Sequence, residues 1–467
     1  METLNNNINF DNNNEAFLVH QIIKYTNQNV FLCGKAGTGK SSFLKHTIEE
    51  ISKKNALTAP TGMASKNIGG QTIHSFLSLN GKELFPNVSD LISNYKESRK
   101  KYIRELDIII IDEVSMVSSP IFDLLDRVLQ AIMGNMKPFG GKQLLVIGDC
   151  FQLPPVVKPD TKKAILEKYK SRYFFDTRGF KDKFLMVELK ECYRQKDQLF
   201  MNILDELKVG KISDLLLNYL NYKCYKSSSL IEKETLTLTV ANDTADNINT
   251  KRLNEIQSEE VEYKAIISNS FEFKDYLVKE KLVLKVGAKV MFIKNNFELG
   301  YHNGSMGRVI ALDKDLISVK IENEEKIIDV LRCDWENQKF NNSTASMETL
   351  GTANQFPIVL GWAISIHKSQ GLTLEKVHID LSRPIFEYGQ LYVALSRCTS
   401  LTGLSFNRRI TRNDIKVDNI VVDFYKKLDS PFQNELKNKI IDELIEINEK
   451  IENEIDKKAS EEIKEAN

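Results

Sequence analysis

The stretch FLCGKAGTGKSSFLK, running from Phe31 to Lys45, decides the fold. An apolar run of strand length leads into GxxxxGK[ST], filled here by Gly34 to Ser41, and a helical pattern follows. That order is what a phosphate-cradling loop requires. Gly34, Gly37 and Gly39 let backbone N–H groups turn inward around an anion. Lys40 is placed to reach the β and γ oxygens of a triphosphate, and Ser41 to ligate Mg²⁺. Thr38 and Ser42 complete the candidate nucleotide-binding set, and the following helix turns its positive end toward the anion.

Two further signals sit at the ends of apolar runs. Residues 108–111 are four isoleucines, followed at once by Asp112-Glu113. A buried strand rarely ends in two acids without cause, and the carboxyl edge of a parallel sheet is where ligands bind. Asp112 is expected to hold Mg²⁺ through water, and Glu113 to polarise an attacking water. The second signal is GDCFQLPPV, residues 148–156. Gln152 at a strand tip can sense a γ-phosphate, and Pro154-Pro155 form a stiff apolar ledge on which a base can sit. The loop and the acidic pair alone give a nucleoside triphosphatase.

Outward from these motifs, short apolar runs at 29–33, 56–60, 108–111 and 144–148 alternate with helical patterns. That is the texture of a parallel sheet covered on both faces. Glu15 to Asn27 reads as a helix capped by Asn14. A second strand–helix series begins near Phe184 and includes 235–240. Between 256 and 345 the pattern turns to alternating strands, with 289–293 and 308–312 flanking the glycine-bearing turn at 302–307. Parallel texture returns near 357–363, and a charged helix follows Pro431.

The 467 residues are 42% hydrophobic, enough for a large core, and no apolar run is long enough to span a bilayer. The N-terminus carries neither the basic nor the apolar segment of a secretory signal. Six scattered cysteines without a CxxC pair argue against zinc and fit reduced thiols in a cytoplasm-like compartment. Net charge is zero; the segment 433–467 holds eleven acids and six lysines, a net of −5, which leaves +5 on the rest. A polyanion must therefore meet a local basic surface.

Taken in order, the motifs resemble those of the superfamily-one helicases that move 5′ to 3′, and most closely the Pif family. The resemblance rests on residues 59–76, 112–117, 122–141, LKECYRQ at 189–195, AISIHKSQGLT at 363–373 and YGQLYVALSRC at 388–398. It implies an α/β protein of two RecA-like P-loop lobes, with a small SH3-like β barrel inserted in the second and a C-terminal helix. The expected divisions are 1–184 for the first lobe, with a wedge-region insertion at 77–106, and 185–255 plus 346–430 for the second. The barrel takes 256–345 and the helix 431–467.

The resemblance also implies roles. Gln152 would couple the γ-phosphate to motion, Arg194 and Arg397 would complete the ATP site from the second lobe, and Gly371 would approach the phosphate. Thr61, His74, Pro154, Pro155, His367 and Lys368 would contact DNA. The implied cofactors are ATP and Mg²⁺. The implied partners are single-stranded DNA and forked or tailed duplexes, met by a monomer or weak self-associate with no membrane attachment. The family's adenine-reading glutamine, upstream of the P-loop, has no counterpart around residues 14–16. The basic run Lys96, Arg99, Lys100, Lys101 and Arg104 is either a solvated helix face or a contact for a displaced strand. Trp335 and Trp362 are expected as core anchors. The C-terminal helix, with Ile440, Leu444 and Ile447 at near-heptad spacing, is either docked or part of a coiled coil. Two other activities stay open: a RecD-type translocase that separates strands weakly, and a nucleotide-switched binding protein that does not translocate.

Overall fold

The computed structural model describes residues 13–79, 85–157, 159–227, 235–273, 276–296, 298–301, 303–322, 324–341 and 346–465. The first lobe is built on a parallel sheet of β1 (Asn29–Gly34), β2 (Asn55–Ala59), β3 (Gln71–Thr72), β4 (Ile108–Ile111), β5 (Gln143–Gly148) and β6 (Phe184–Leu189). Their order is β3-β2-β4-β5-β1-β6. Every residue of β4 and β5 is buried. A strand covered on both faces has no polar side, so its sequence does not alternate. The lobe's helices are α1 (Asn14–Tyr25), α2 (Lys40–Glu50), α3 (Gly62–Asn67), α4 (Ile73–Phe76), α5 (Val88–Ser93), α6 (Glu97–Glu105), α7 (Ser119–Met133) and α8 (Pro159–Lys168). Asn13 caps α1 in place of Asn14, its Oδ1 accepting the Ala16 N–H at 3.1 Å. The helix stops at Tyr25, because Thr26 is already extended.

The strand near Phe184 belongs to the first sheet and does not start the second. It pairs in parallel with β1, from Asn29 opposite Phe184 to Gly34 opposite Leu189. An apolar run does not declare which of two sheets it will join. The second lobe opens after it with α9 (Gln198–Lys208), α10 (Asp214–Cys224), β7 (Thr237–Thr239) and α11 (Asn242–Asn254).

The chain then leaves for an antiparallel insertion: β8 (Glu260–Lys264), β9 (Ile266–Asn269), β10 (Lys281–Lys285), β11 (Lys289–Phe292), β12 (Met306–Leu312), β13 (Leu316–Ile321), β14 (Ile327–Leu331), β15 (Cys333–Asn341), β16 (Ser346–Gln355) and β17 (Ile358–Leu360). They form three sheets, β14-β13-β12-β11-β17, β10-β8 and β15-β16-β9; the first two share a core that includes Val290, Val319, Phe356 and Trp362, while Trp335 of the third packs against the main core. The glycine-bearing turn joins β11 to β12, with Lys289 opposite Arg308. Because β16 and β17 pair inside these sheets, residues 346–360 go with the insertion and not with the second lobe. Parallel pairing resumes at β18 (Ala363–Ser365) and continues through β19 (Val377–Asp380), α12 (Gln390–Ser396) and β20 (Leu404–Phe406), giving the sheet β18-β7-β19-β20.

The last helices, α13 (Asn419–Tyr425) and α14 (Pro431–Glu465), return to the first lobe. Phe424 stacks on Phe175 with ring centroids 3.9 Å apart. Gln433 caps the flank of β6 through both ends of its amide, accepting the Met186 N–H at 2.8 Å and donating to the Phe184 carbonyl at 3.0 Å. Ile440 and Leu444 are buried with Val19, Ile23 and Leu185. Over this stretch α14 is a docked amphipathic helix. Among the described residues no helix is long and apolar enough to cross a membrane.

Candidate functional site

Each candidate loop leaves the carboxyl end of a parallel strand. Gly34 ends β1, Thr61 follows β2, His74 follows β3, Asp112 follows β4, Gln152 follows β5, Arg194 follows β6 and His367 follows β18. Within each of the two sheets, parallel strands put all their carboxyl ends on one edge, so residues far apart in sequence gather there.

In the P-loop, Gly39 caps the eleven-residue helix α2 with a positive φ of 80°. Ser41 and Ser42 are exposed at its first turn, while Thr38 is buried and donates its hydroxyl to the Lys35 carbonyl at 2.9 Å. The Lys40 ammonium folds back on the loop, donating to the carbonyls of Gly34 at 2.6 Å and Lys35 at 2.9 Å. An anion at this helix end would take that charge from two neutral oxygens.

Asp112 is buried, and Glu113 lies half-buried beside it. Burial pushes both carboxyls up; the neighbouring acid adds to this at Asp112, and Lys40 opposes it at both. Glu113 holds a left-handed backbone, φ 48°, which costs strain in a residue with a Cβ. Its Oε2 is buried without a hydrogen-bond partner. Two unneutralised carboxyls with an orphaned oxygen fit a hard cation. Mg²⁺ takes one or two carboxylates and leaves the remaining positions to phosphate and water.

The expected arginines act on Glu113 through charge, without a direct hydrogen bond to it. Arg194 comes from the connector directly after β6, on the first lobe's side of the seam and not from the body of the second lobe. It sits where a Cβ on Gly37, whose φ is +86°, would come 2.5 Å from the Arg194 Cβ. Its guanidinium reaches into the second lobe, with Nε on Thr373 Oγ1 at 2.9 Å and Nη1 on the Ser396 carbonyl at 3.2 Å. Arg397 ends α12 and is 2% exposed, bonded to the Val393 carbonyl and to Ser396 Oγ. Burial and Arg194 disfavour its charge, and Glu113 restores part of it. Lys40, Arg397 and Arg194 all act to lower Glu113. One carboxylate therefore feels cations from both lobes. Gly371, by contrast, is exposed and faces open space.

Several neighbours of the site carried no assigned role in the sequence. Tyr193 is 58% exposed, and its ring lies 3.5 Å from where a Cβ on Gly39 would be, leaving a flat face at the mouth of the loop. Tyr392 and Asp149 are buried at the seam, and Gly389 packs against the carbonyls of Phe151 and Gln152. They lie inside quoted motifs, but no spacing signals a partner on another lobe.

The candidate DNA residues divide by lobe. Thr61 caps α3, accepting the Ala64 N–H, and His74 is exposed on α4. Beneath α4, Arg99 is 1% exposed and donates to the carbonyls of Ser75 and Phe76. Elsewhere in that basic run, Lys100, Lys101 and Arg104 pair with Glu97 and Glu105 of the same helix. Pro154 and Pro155 are buried, and Val156, 79% exposed, is the apolar surface at that tip. His367 and Lys368 are half-buried in a turn after β18, where burial lowers both; Glu387 opposes this at His367 and Asp246 at Lys368. Arg172 bridges the two sides, donating to the Pro155 carbonyl at 3.4 Å and to Glu387 at 3.0 Å. The insertion meets the first lobe at Lys66, which donates to the Glu336 carbonyl at 2.7 Å and lies 3.4 Å from the Tyr276 ring centroid. Trp335 is partly buried beside Tyr276.

A family profile described as PIF1-like helicase matches residues 11–227. The chain is 31% identical to a Campylobacter jejuni protein named ATP-dependent DNA helicase Pif1, over 90% of this chain and 99% of that one. It is also 31% identical to a protein of the same name from Emericella nidulans, over 86% of this chain and 61% of the relative. It thus spans about three-fifths of that fungal relative's length. Unliganded Pif1 from Bacteroides superposes with a TM-score of 0.80 at 33% identity, over 90% of this chain and 97% of that one. Bacteroides Pif1 in complex with ADP-AlF3 and single-stranded DNA gives 0.65 at 34% identity, over 90% and 98%.

Proposed function

The chain belongs to the PIF1-like helicase family, and from that premise we propose that it is an ATP-driven DNA helicase moving 5′ to 3′ on single-stranded DNA. The observation that carries the reading is Glu113, a half-buried acid that feels Lys40 from the P-loop, Arg194 from the connector after β6 and Arg397 from the second lobe. Such an arrangement is complete only while the lobes are together, so nucleotide state and lobe separation are tied to each other.

In this reading Lys40, Ser41 and the amides at the head of α2 bind the triphosphate. Asp112 and Ser41 would hold Mg²⁺, which would supply charge neutralisation at the phosphates. Glu113 orients and deprotonates the attacking water, and Gln152 senses the terminal phosphate. Arg194 and Arg397 stabilise the charge that develops on it. The Tyr193 ring offers a stacking face for the base, where residues 14–16 supply no glutamine. Thr61, His74, Lys368 and His367 hold the strand, with Val156 standing in for the buried Pro154-Pro155 ledge. Binding is tolerant of sequence and sensitive to salt. The protein acts as a monomer or weak self-associate in the cytoplasm, on tailed or forked duplexes.

The deciding experiment is unwinding of duplexes carrying only a 5′ or only a 3′ tail, with Lys40→Ala as the control. Opening of the 5′-tailed substrate alone, lost in the Lys40→Ala variant, is expected. Opening from the 3′ tail refutes the polarity. ATP turnover that ignores DNA refutes the motor.

A further inference from the structure

We infer that the hydroxyl of Tyr392 is a joint that ties the P-loop to Gln152 and to the arginine-bearing helix α12, and so couples DNA occupancy to hydrolysis. Tyr392 and Asp149 are 3% and 2% exposed, at the seam between the lobes. A buried carboxylate must be met by donors, and Asp149 has three. They are the Phe151 N–H at 3.1 Å, Gln152 Nε2 at 3.2 Å and the Tyr392 O–H at 3.2 Å. The same Tyr392 oxygen accepts the Ala36 N–H of the P-loop at 3.3 Å. One hydroxyl therefore acts as donor and acceptor at once, and joins a first-lobe loop to a first-lobe carboxylate through a second-lobe side chain.

The consequence follows from what each end carries. Gln152 has its amide parked on Asp149, so meeting a phosphate requires leaving it. Ala36 lies in the loop that rearranges when Lys40 exchanges carbonyls for an anion. Tyr392 and Arg397 ride on one short helix, so a pull on the hydroxyl is a pull on the arginine. Tyr392 is thus a positioning residue; it sets the register between loop, sensor and arginine.

The inference rests on the motor reading, and the test separates the two. ATP turnover of Tyr392→Phe is measured with and without an oligothymidylate. Phenylalanine keeps the ring and its packing and removes only the joint. Basal turnover and KM for ATP are expected within about twofold of wild type, while the ratio of stimulated to basal turnover falls about tenfold, the size of one lost hydrogen bond to a charged group. An unchanged ratio overturns the joint, and so does an equal fall in basal and stimulated rates. A thermal-unfolding cycle with Asp149→Asn needs no DNA. Non-additive effects of the two substitutions support the joint, and additive ones overturn it. If wild type is not stimulated by DNA, the motor reading fails and the unfolding cycle alone decides the joint.

Discussion

Replacing Gly389 by alanine tests whether lobe contact controls hydrolysis. Gly389 begins α12 at φ +69°, and a Cβ there would meet the Phe151 carbonyl oxygen at 2.2 Å and that of Gln152 at 2.6 Å. Both are backbone atoms, so no side chain can swing aside. Left-handed backbone costs alanine about 1–2 kcal/mol, and forcing an atom into a packed contact adds about 1–3 kcal/mol. The backbone cost stays with the residue, but the contact cost, about 1–3 kcal/mol, is relieved by parting α12 from the Gln152 loop. At 1.36 kcal/mol per decade the closed arrangement loses at least about fivefold in population. DNA-stimulated kcat is expected to fall by that factor, while binding of a fluorescent ADP to the P-loop changes little. Gly134→Ala is the control: its φ is +66° but nothing lies within 4 Å of the added carbon, so it bears the backbone cost alone. If Gly389→Ala turns over ATP within twofold of Gly134→Ala, the seam does not govern the chemistry.

Two other outcomes follow from the site. Asp112 and Glu113 bind protons more tightly folded than unfolded, so their ionisation costs stability; the cost is absent below the unfolded carboxylate range, about pH 4, and grows as pH rises through the folded values. Glu113→Gln should therefore abolish hydrolysis yet melt above wild type at about pH 8 without nucleotide, with the gap closing toward about pH 4; equal melting temperatures throughout would show that the acidic pair carries no strain. His367→Ala with Lys368→Ala should weaken single-stranded DNA binding and reduce the log–log salt slope by about 1, one phosphate contact's share. A filter-binding titration checks this, and an unchanged slope removes Lys368 from the track.

The P-loop and the acidic strand end were legible because each needs residue types at fixed local spacing. Gly34 to Ser41 and the four isoleucines before Asp112 carry their context with them. What escaped the sequence were features set by a distant partner. The run at 184–189 has the texture of a buried strand, but the choice between two sheets lies in packing against β1. Residues 346–360 alternate weakly, and only pairing with β15 and β11 assigns them to the insertion. Pro154 and Pro155 are stiff and apolar, as a ledge should be, and the same apolarity takes them into the core and leaves Val156 outside. Arg99 sits in a basic run yet turns inward to hold α4, which composition alone cannot distinguish from a solvated face.

The return of α13 and α14 to the first lobe changes what kind of machine the molecule can be. The polypeptide passes from one lobe to the other near residue 190 and comes back near residue 418, so two strands of backbone cross the gap instead of one. Bodies joined by a single tether can tumble; bodies joined at two points can only swing about the line between them. Any relative travel of the lobes is thereby confined to the opening and shutting of a door, whose direction is set before any ligand arrives.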